Sequence, residues 1–492
     1  MAQEKGLDQR IDEAFQPISD FFSKYVFYPI GDYPFVIYLL VGSALFFTIY
    51  FWFPNIKYFW TAINVVRGKY DDIEKSGSDS EDGEVSHFQA LATAVSGTVG
   101  NGNIAGVALA IALGGPGATF WMIVCGLLGM STKFVECTLG VHFRDVDENG
   151  VVYGGPMYYI SKGLKSKGFK TLGTIAASLF AVFCIGGSFG GGNAAQSNQA
   201  TIVIKNLFGY ESTFAGAMIG LVLATLVGII IIGGIKRIAS VTEKVVPFMA
   251  LLYILACIYI LAINFSFIDD AISLIFREAF NPTAVGVGGI IGVLMVGFQR
   301  AAFSNEAGAG SASIAHSAVK TKYAASEGLV ALLEPFIDTV VICTMTALVI
   351  ITFNSTGAFV YGGDGMGGVL IDGIVYEGAG ITQKAFAQYI PGSDIFLTIA
   401  VVLFAVSTMI SWSYYGLQSW KFLFGRGYVA DLTYKVLFLM FVVIGAAASM
   451  NSIWAFSDAM IFAMVFPNMI GLYFLFPIVK EQLKRYLEAI KN

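Results

Sequence analysis

Long apolar runs constrain the fold of this 492-residue chain more than any other feature. A helix needs ~20 residues to cross a hydrocarbon core of ~30 Å, and about eleven runs approach that length. They centre on residues 35–54, 89–112, 117–139, 172–204, 212–233, 240–264, 284–303, 328–352, 394–424, 431–451 and 455–479. Charged residues make up 13% of the chain, against ~25% in soluble domains. The sequence therefore predicts an all-α membrane protein with about eleven transmembrane helices.

The start of the chain and its net charge indicate what the protein contacts. The polar stretch "MAQEKGLDQR" lacks the apolar core of a signal peptide, so the first span must itself direct insertion. Apolar residues recur at helical spacing in residues 11–30, which predicts a helix on the membrane surface. A formal net charge of −5 leaves no basic face for nucleic acid. We therefore expect the lipid bilayer, and no nucleic acid, among its partners.

Lysine and arginine gather in alternate loops, which predicts the orientation. By the positive-inside rule, the side that carries most of them is cytoplasmic. That side holds Arg67, Lys69, Lys75, Lys162, Lys165, Lys167, Lys170, Lys236, Arg237, Lys320, Lys322, Arg426, Lys484 and Arg485. We therefore predict a multi-pass protein of the cell (inner) membrane with its N-terminus outside and its C-terminus in the cytoplasm.

A glycine- and asparagine-rich stretch, "SGTVGNGNIAGVALAIALGGPG" (residues 96–117), interrupts the second apolar run. Non-helical backbone at membrane depth is tolerated only where it is buried in protein or lines a watery cavity. A broken helix presents amides at one end and carbonyls at the other, which suit a carboxylate and a cation. Close helix packing explains Gly106 and Gly114, but the polar groups of Thr98, Asn101 and Asn103 would be costly against lipid. An amino-acid zwitterion together with a cation fits such a site.

A second polar seam, residues 297–318, lies five spans after the first. That spacing is typical of an inverted-repeat transporter, in which a broken helix opens each five-helix half. Two further polar patches, residues 188–200 and 406–416, occupy the third helix of each half. The glycine-rich loop within residues 352–393 is too polar to span and has no predicted role. The predicted domains are residues 1–85 (interfacial helix, first transmembrane helix and cytoplasmic loop), 86–265 (first repeat), 266–480 (second repeat) and 481–492 (cytoplasmic tail).

Buried ionisable residues leave the coupling ion open at this point. Asp338 is equally consistent with a proton or cation site and with a polar partner inside the protein. Proton coupling through Asp338 or Glu306 therefore stands as an alternative to coupling by a metal cation. For Gln199, an interhelical hydrogen bond is a better interpretation than contact with a ligand.

Enzymes and channels are poorer matches to the sequence than a carrier. The five cysteines lie in apolar runs without the spacing of a metal site, and the three histidines are far apart. The stretch "GNGNIAG" lacks the third glycine and the strand context of a dinucleotide-binding loop. Channels usually show rings of charge or repeated filter loops. We therefore expect no enzymatic activity and no cofactor.

Five motifs resemble those of the alanine or glycine:cation symporter family. In order they are "GTVGNGNIAGV", "GGPGATFWM", "GGPMYY", "FSNEAGAGSA" and "SWSYYG", within a likeness that covers roughly residues 86–475. The resemblance implies a leucine-transporter-like fold, with one extra N-terminal helix before a 5+5 inverted-repeat core. It also implies sodium as the coupling ion and a small neutral amino acid, alanine or glycine, as the substrate.

The resemblance further implies two sodium sites at the first broken helix. Thr98 and Asn103 would bind the sodium that is linked to the substrate. Hard oxygen ligands of this kind suit a hard cation. The second sodium would be held by the carbonyls of Ser96 and Val99 and the hydroxyls of Ser407 and Thr408.

For the substrate, the resemblance places the carboxylate on the loosened backbone from Thr98 to Gly102. Phe303 and Trp412 would set the size of the pocket. Ala194 and Ala195 stand where the family usually has bulky apolar residues, and Leu417 where it usually has an acid, so a larger neutral substrate such as serine or glutamine is an alternative. The predicted substrate-binding residues are Thr98, Gly100, Gly102, Gln196, Phe303, Asn305 and Trp412.

Overall fold

The computed structural model describes residues 7–31, 33–75, 83–210, 214–282, 289–447 and 450–491. Most of this backbone is helical. The α-helices are α1 Leu7–Val26, α2 Phe35–Tyr50, α3 Pro54–Lys57, α4 Phe59–Val66, α5 Asp71–Lys75, α6 His87–Thr98, α7 Ala105–Gly114, α8 Gly117–His142, α9 Pro156–Ser166, α10 Lys170–Phe189, α11 Ala195–Phe208, α12 Ala215–Ile231, α13 Gly234–Ile263, α14 Ile268–Phe280, α15 Gly289–Asn305, α16 Ala312–His316, α17 Ala324–Val330, α18 Leu333–Pro335, α19 Thr344–Phe353, α20 Ala379–Tyr389, α21 Ser393–Phe424, α22 Tyr428–Ala447 and α23 Met450–Ala489. Antiparallel pairs join β1 Pro29–Ile30 to β2 Tyr33–Pro34, β3 Asp145–Val146 to β4 Val152–Tyr153, and β5 Val369–Ile371 to β6 Ile374–Tyr376.

The predicted apolar runs coincide with helices in the described chain. By length and composition, seven helical stretches of the described residues could cross a membrane, and the bent pair α6–α7 would make an eighth. Helices α2 and α12 are apolar but shorter. The all-α membrane class is confirmed, whereas the count of eleven spans stays a prediction. The seven stretches are Gly117–His142, Lys170–Phe208, Gly234–Ile263, Ala324–Thr356, Ser393–Phe424, Tyr428–Ala447 and Ile453–Ala489.

Helix α1, where the sequence predicts an interfacial helix, packs against α23. The Ser23 hydroxyl donates to the Ala455 carbonyl at 3.5 Å, and the rings of Phe27 and Phe462 lie 5.4 Å apart. On the opposite face, Phe21 and Tyr25 are exposed. The helix therefore has one face on the protein and an aromatic face turned outward, as an amphipathic surface helix requires.

Both predicted seams interrupt their helices. Helix α6 is bent by 56° from the stretch Asn101–Gly114, which consists of a short 3-10 turn (Asn101–Asn103) followed by α7. Residues 306–311 separate α15 from α16, and within them Glu306, Gly308 and Gly310 take positive φ angles of 54°, 94° and 88°. A right-handed helix cannot continue through left-handed backbone, so the second segment is broken by its conformation.

The helical stretch from α10 to α11 is widened where it meets α21. A π-helical turn, residues 190–194, joins α10 to α11. A Cβ atom on Gly192 would lie 2.1 Å from Trp412 Cγ, so only glycine lets this turn pass the indole ring. A second π-helical segment, residues 336–343, lies between α18 and α19. The predicted patch at residues 406–416 lies in regular helix within α21.

The glycine-rich residues 352–393 form a hairpin and a helix that pack against α7. Strands β5 and β6 are joined by an Asp-Gly pair with positive φ at both residues, as a tight hairpin turn requires. The Gly362 amide donates to the Ala112 carbonyl at 2.7 Å, and the Thr382 hydroxyl donates to the Ile104 carbonyl at 3.1 Å. This loop therefore satisfies carbonyl groups at both ends of α7.

The glycine-rich loop contacts the end of α7, whereas Tyr486 of α23 hydrogen bonds to Glu74, which contacts His87 at the start of α6. The loop and the C-terminal tail therefore lie at opposite ends of the broken span, which allows a test of orientation. We expect Val375→Cys to react with a membrane-impermeant maleimide in intact cells, and Lys484→Cys to react only after permeabilisation, because the tail side carries the positive charge. Both positions are exposed, at 58% for Val375 and 77% for the Lys484 side chain. The native cysteines are buried or half-buried, which keeps background labelling low. The reverse pattern would show that the predicted orientation is wrong.

Candidate functional site

Side-chain hydrogen bonds replace the helical ones across the first break. The Gly100 amide donates to Asn103 Oδ1 at 2.9 Å, and the Asn101 amide donates to Gln196 Oε1 at 3.0 Å. The Asn101 side-chain amide donates in turn to the Gln196 carbonyl at 3.2 Å. Buried backbone polar groups need such partners. Asn101, Asn103 and Gln196 therefore stabilise the unwound backbone, which explains why polar residues occur here at membrane depth.

Gly100 is required by close approach of its neighbours. A Cβ atom at this position would lie 2.4 Å from Thr408 Oγ1 and 3.1 Å from Gln196 Oε1. Gly102 is different, since its nearest neighbours, Ser304 Cα at 3.6 Å and Phe303 Cδ1 at 3.7 Å, would make ordinary contact with a Cβ atom. The first glycine thus lets α21 and α11 reach the break, and the second faces the second broken helix.

The predicted second sodium site brings α6 and α21 together. Thr408 Oγ1 donates to the Ser96 carbonyl at 3.0 Å, and Ser96 Oγ donates to the Ser407 carbonyl at 2.7 Å. The Ser407 hydroxyl is engaged within its own helix, donating to the Phe404 carbonyl at 2.9 Å. Val99 is buried at the point where α6 unwinds. The Ser96 carbonyl and the Thr408 hydroxyl thus form a pair of adjacent neutral oxygens.

Thr98 and Asn103, predicted to share the other sodium, have different partners in the structure. Thr98 Oγ1 lies 3.3 Å from the Ala94 carbonyl, inside its own helix. Asn103 turns its side-chain amide toward Asp338, donating to Oδ1 at 2.6 Å and to the carbonyl at 3.1 Å. Their joint binding of one sodium stays a prediction.

A buried carboxylate connects the two broken helices. Asp338 accepts from Asn103 of the first break, and its Oδ2 accepts from the Ser304 hydroxyl, before the second break, at 2.9 Å. The Thr339 hydroxyl donates to the same oxygen at 2.6 Å. Of the two open interpretations of Asp338, partnership with polar groups inside the protein is the one that the structure displays. Sequence analysis missed Ser304 and Thr339, although Ser304 lies within the motif "FSNEAGAGSA".

Two aromatic side chains form a wall beside the breaks. Trp412 is buried, and its indole N–H donates to Glu306 Oε1 at 3.0 Å. Glu306 also accepts a hydrogen bond from the Ser311 hydroxyl, so both carboxylate oxygens are engaged. Phe303 is 5% exposed, and its ring lies 4.9 Å from the ring of Trp454, tilted by 45°. A Cβ atom on Gly191 would lie 3.6 Å from Phe303 Cζ, which places the ring beside the π-helical turn.

Gln196 and Asn305, both predicted to contact substrate, support the backbone of the breaks. The Gln196 side chain accepts from Asn101 and donates to the Gly191 carbonyl at 2.9 Å. The Asn305 side chain accepts from the Ala307 amide at 3.0 Å and donates to Thr339 Oγ1 at 3.0 Å. Each polar end of both amides is therefore engaged by protein groups.

One acceptor at the break has no protein partner. Asn101 Oδ1 is buried and accepts none of the hydrogen bonds found among the described residues. A buried polar atom without a partner is costly in a folded protein. This oxygen is therefore a candidate ligand for a bound molecule, and the sequence analysis did not assign it one.

Three departures from the family pattern lie away from the aromatic wall. Ala194 and Ala195 pack with Ile453 of α23. A Cβ atom on Gly445 would lie 2.4 Å from Ala194 Cα, so the π-helical turn and α22 meet backbone to backbone. Leu417 packs in an apolar cluster of α12, α21 and α22. Gln199 accepts from the Ala379 amide at 3.2 Å, an interhelical hydrogen bond as the sequence indicates.

The family model that matches this chain is that of the sodium:alanine symporter family, over residues 15–492. The chain belongs to the sodium:alanine symporter family. Members of this family are secondary transporters and not enzymes, and the predicted resemblance is confirmed.

Relatives in the symporter family align along nearly the whole chain. The sodium/alanine symporter AgcS of Methanococcus maripaludis is 40% identical over 461 residues, which cover 93% of this chain and 95% of that protein. The probable sodium/glutamine symporter GlnT of Bacillus subtilis is 33% identical over 458 residues, with 93% and 88% covered. The symporter is thus a sodium-coupled amino-acid carrier and a multi-pass membrane protein.

Solved structures share the fold of this symporter. The transporter MhsT in complex with L-phenylalanine matches with a TM-score of 0.51 and 14% identity, over 82% of this chain and 99% of that one. The Eremococcus coleocola manganese transporter matches with a TM-score of 0.52 and 12% identity, over 82% of each chain. The leucine-transporter-like fold is confirmed.

Two glycines of the first broken helix, Gly100 and Gly106, allow a test of the close approach of Thr408 and Gln196 to the break. We predict that Gly100→Ala lowers the uptake rate by about tenfold or more, because the added methyl displaces Thr408 and Gln196 from their positions. Gly106→Ala is the matched control, since a Cβ atom there meets nothing within 4 Å. Uptake of labelled alanine into proteoliposomes measures both. Equal uptake by the two variants would contradict the assigned close approach.

Proposed function

We propose that this symporter carries alanine or glycine together with sodium by alternating access. The observation that carries the proposal is the meeting of two broken helices around unpaired and neutral oxygens, beside a wall of two buried aromatic rings. Among the described residues Asn101 Oδ1 has no hydrogen-bond partner, and the Ser96 carbonyl lies 3.0 Å from the Thr408 hydroxyl. A cation and a zwitterion both find complementary groups at such a place.

The cation sites that we propose use uncharged oxygens at the first break. The Ser96 and Val99 carbonyls and the hydroxyls of Ser407 and Thr408 would hold one sodium. Their oxygens do not titrate near neutral pH, so they favour a metal cation over a proton. Thr98 and Asn103 would hold the other sodium. Asp338 lies one side chain away, and its buried carboxylate would favour a cation there.

The substrate site that we propose lies between the break and the aromatic wall. The carboxylate would meet the backbone from Thr98 to Gly102, and Asn101 Oδ1 would accept from the ammonium group. Phe303 and Trp412 would limit the side chain of the substrate. Trp412 is held in place by its hydrogen bond to Glu306, so this limit is rigid.

A larger neutral substrate remains the alternative, and one relative is named a probable sodium/glutamine symporter. The alanines that suggested extra space, Ala194 and Ala195, pack on Ile453 rather than on Trp412 or Phe303. This placement favours the smaller substrate.

Sodium coupling predicts which gradient drives uptake. In proteoliposomes, an inward sodium gradient should drive alanine accumulation, whereas an inward proton gradient without sodium should not. Thr408→Val should raise the sodium concentration for half-maximal uptake by roughly tenfold, the effect of losing ~1.4 kcal/mol from one oxygen ligand. Thr398→Val, a buried threonine on the same helix, is the matched control and should leave it unchanged. Uptake that followed the proton gradient in sodium-free buffer, and was lost in Asp338→Asn, would establish proton coupling instead.

Competition distinguishes the small substrate from the larger one. Unlabelled alanine and glycine should suppress uptake of labelled alanine, while valine and glutamine should not, because each added methylene needs space that Phe303 and Trp412 occupy. Ala195→Val should lower the amount of folded transporter but leave the order of competitors unchanged, since Ala195 lies in a helix contact. A change in the order of competitors in Ala195→Val would place that residue in the pocket.

A further inference from the structure

Buried acids and bases form a chain at the start of α6, joined by hydrogen bonds except between His316 Nε2 and Glu334 Oε2, which lie 3.6 Å apart. The chain leads from Lys133 toward the end of the molecule where Arg144, Lys322 and Arg485 line a cavity, called here the basic end. Glu74 Oε2 lies 2.8 Å from His87 Nε2, and His87 Nδ1 hydrogen bonds to Glu327 Oε2. Glu327 Oε1 lies 2.5 Å from His316 Nδ1. On the other side of this ring, His316 Nε2 lies 3.6 Å from Glu334 Oε2, and Glu334 Oε1 accepts from Lys133 Nζ at 3.0 Å.

The geometry at His87 requires an additional proton. A neutral imidazole has one N–H and one lone pair, so it can donate to only one of two carboxylates. His87 faces a carboxylate oxygen at each ring nitrogen, Glu74 on one side and Glu327 on the other. Glu74 also accepts hydrogen bonds from the hydroxyls of Thr321, Ser326 and Tyr486, so its oxygens act as acceptors. The arrangement is therefore satisfied when the imidazole is doubly protonated.

The charges of these buried acids and bases also indicate that the imidazoles carry additional protons. Glu74, Glu327 and Glu334 carry three negative charges when ionised, and Lys133 offers one positive charge. Protonation of His87 and His316 supplies the two further positive charges that neutralise the chain. Buried charges are tolerated when paired, so burial favours this neutral, proton-loaded state.

The groups that surround the chain do not remove the need for protons. Near Lys133 lie two further acids, Glu136 and Glu306, which supply no positive charge. The tyrosines and the thiol nearby are neutral when protonated and supply no positive charge. These further titratable neighbours are Cys137 on α8, Tyr415 on α21, Tyr486 on α23, and Tyr70 and Tyr323 beside Tyr486.

The chain fastens α6 to helices on either side of it. His87 is the first residue of α6, Glu74 belongs to α5, and Glu327 belongs to α17. Any movement that opens the basic end by displacing the start of α6 must separate His87 from both carboxylates. The separated imidazole loses the two acceptors that stabilise its second proton, so its proton affinity falls.

We propose that His87, His316 and Glu327, together with Glu74 and Glu334, form a proton-binding site that keeps the basic end closed and releases its proton when that end opens. This inference rests on the proposed alternating access. On opening, an imidazolium N–H bond breaks, and water or buffer at the basic end takes the proton. On closing, a proton returns from the same side, so the cycle moves no net proton across the membrane.

The test is exchange of labelled for unlabelled alanine across proteoliposomes at saturating sodium, with pH set separately on each face. Lowering the pH on the face that bears the basic end should slow exchange by about tenfold for each pH unit, over the range in which opening releases one proton. Lowering the pH on the opposite face should not slow exchange in this way. His87→Gln should flatten the pH profile, meaning the dependence of the exchange rate on the pH of the basic-end face, because a glutamine at this position holds no titrating proton. His142→Gln is the matched control and should keep the native profile, since His142 lies in the basic-end cavity and outside the chain.

Two further measurements complete the test. Glu327→Gln, which removes the central acid and keeps its shape, should flatten the profile as well, and sodium-driven uptake at one fixed pH shows that each variant is folded and active. Native pH dependence in both His87→Gln and Glu327→Gln, with sodium-driven uptake intact, would overturn the proton site. A proton current coupled to alanine would overturn the claim that the proton returns to its own side. If the native protein showed no sodium-driven uptake of alanine, the proposed function, and not the proton site alone, would be refuted.

Discussion

Unwound backbone at membrane depth must find its hydrogen-bond partners inside the protein, and the rest of this structure depends on how that is achieved. Across the first break, the side chains of Asn103 and Gln196 accept hydrogen bonds from backbone amides that would bond to carbonyls in a continuous helix. Asp338 then joins this break to Ser304, which precedes the second. The two broken helices are thereby held together by polar groups, with neutral oxygens beside them and with Asn101 Oδ1 left without a partner among the described residues. Lipid could support none of this, so the breaks exist only because other helices enclose them.

The proposed sodium site and the proposed proton site would use different chemistry for different positive ions. Around Ser96 and Thr408, carbonyl and hydroxyl oxygens offer lone pairs whose charge does not change with pH, which suits a metal cation. Around His87, imidazoles and carboxylates hold protons that leave when the groups separate. With the first kind at the end of α6 and the second at its start, one short helix would respond to both sodium and acidity.

Much of the fold could be predicted from the sequence, because membrane helices and their polar interruptions are local features. Both breaks occur where Ser96–Asn103 and the motif "FSNEAGAGSA" place them. Contacts between distant residues could not be predicted in this way. His87 and Glu327 are 240 positions apart, and nothing in their local sequences pairs them. Asn305, placed at the substrate by resemblance, has both side-chain ends engaged with Ala307 and Thr339, since local sequence does not show which way an amide turns.

The central claim, that sodium and the amino acid bind at one break, is tested most directly by reciprocal binding to purified protein. The dissociation constant of alanine is measured by calorimetry over a series of sodium concentrations, and that of sodium with and without alanine. Linkage predicts that saturating sodium tightens alanine binding by the same factor by which alanine tightens sodium binding. In Thr98→Ala or Asn103→Ala, both factors should fall together. Alanine binding that is independent of sodium would contradict the account.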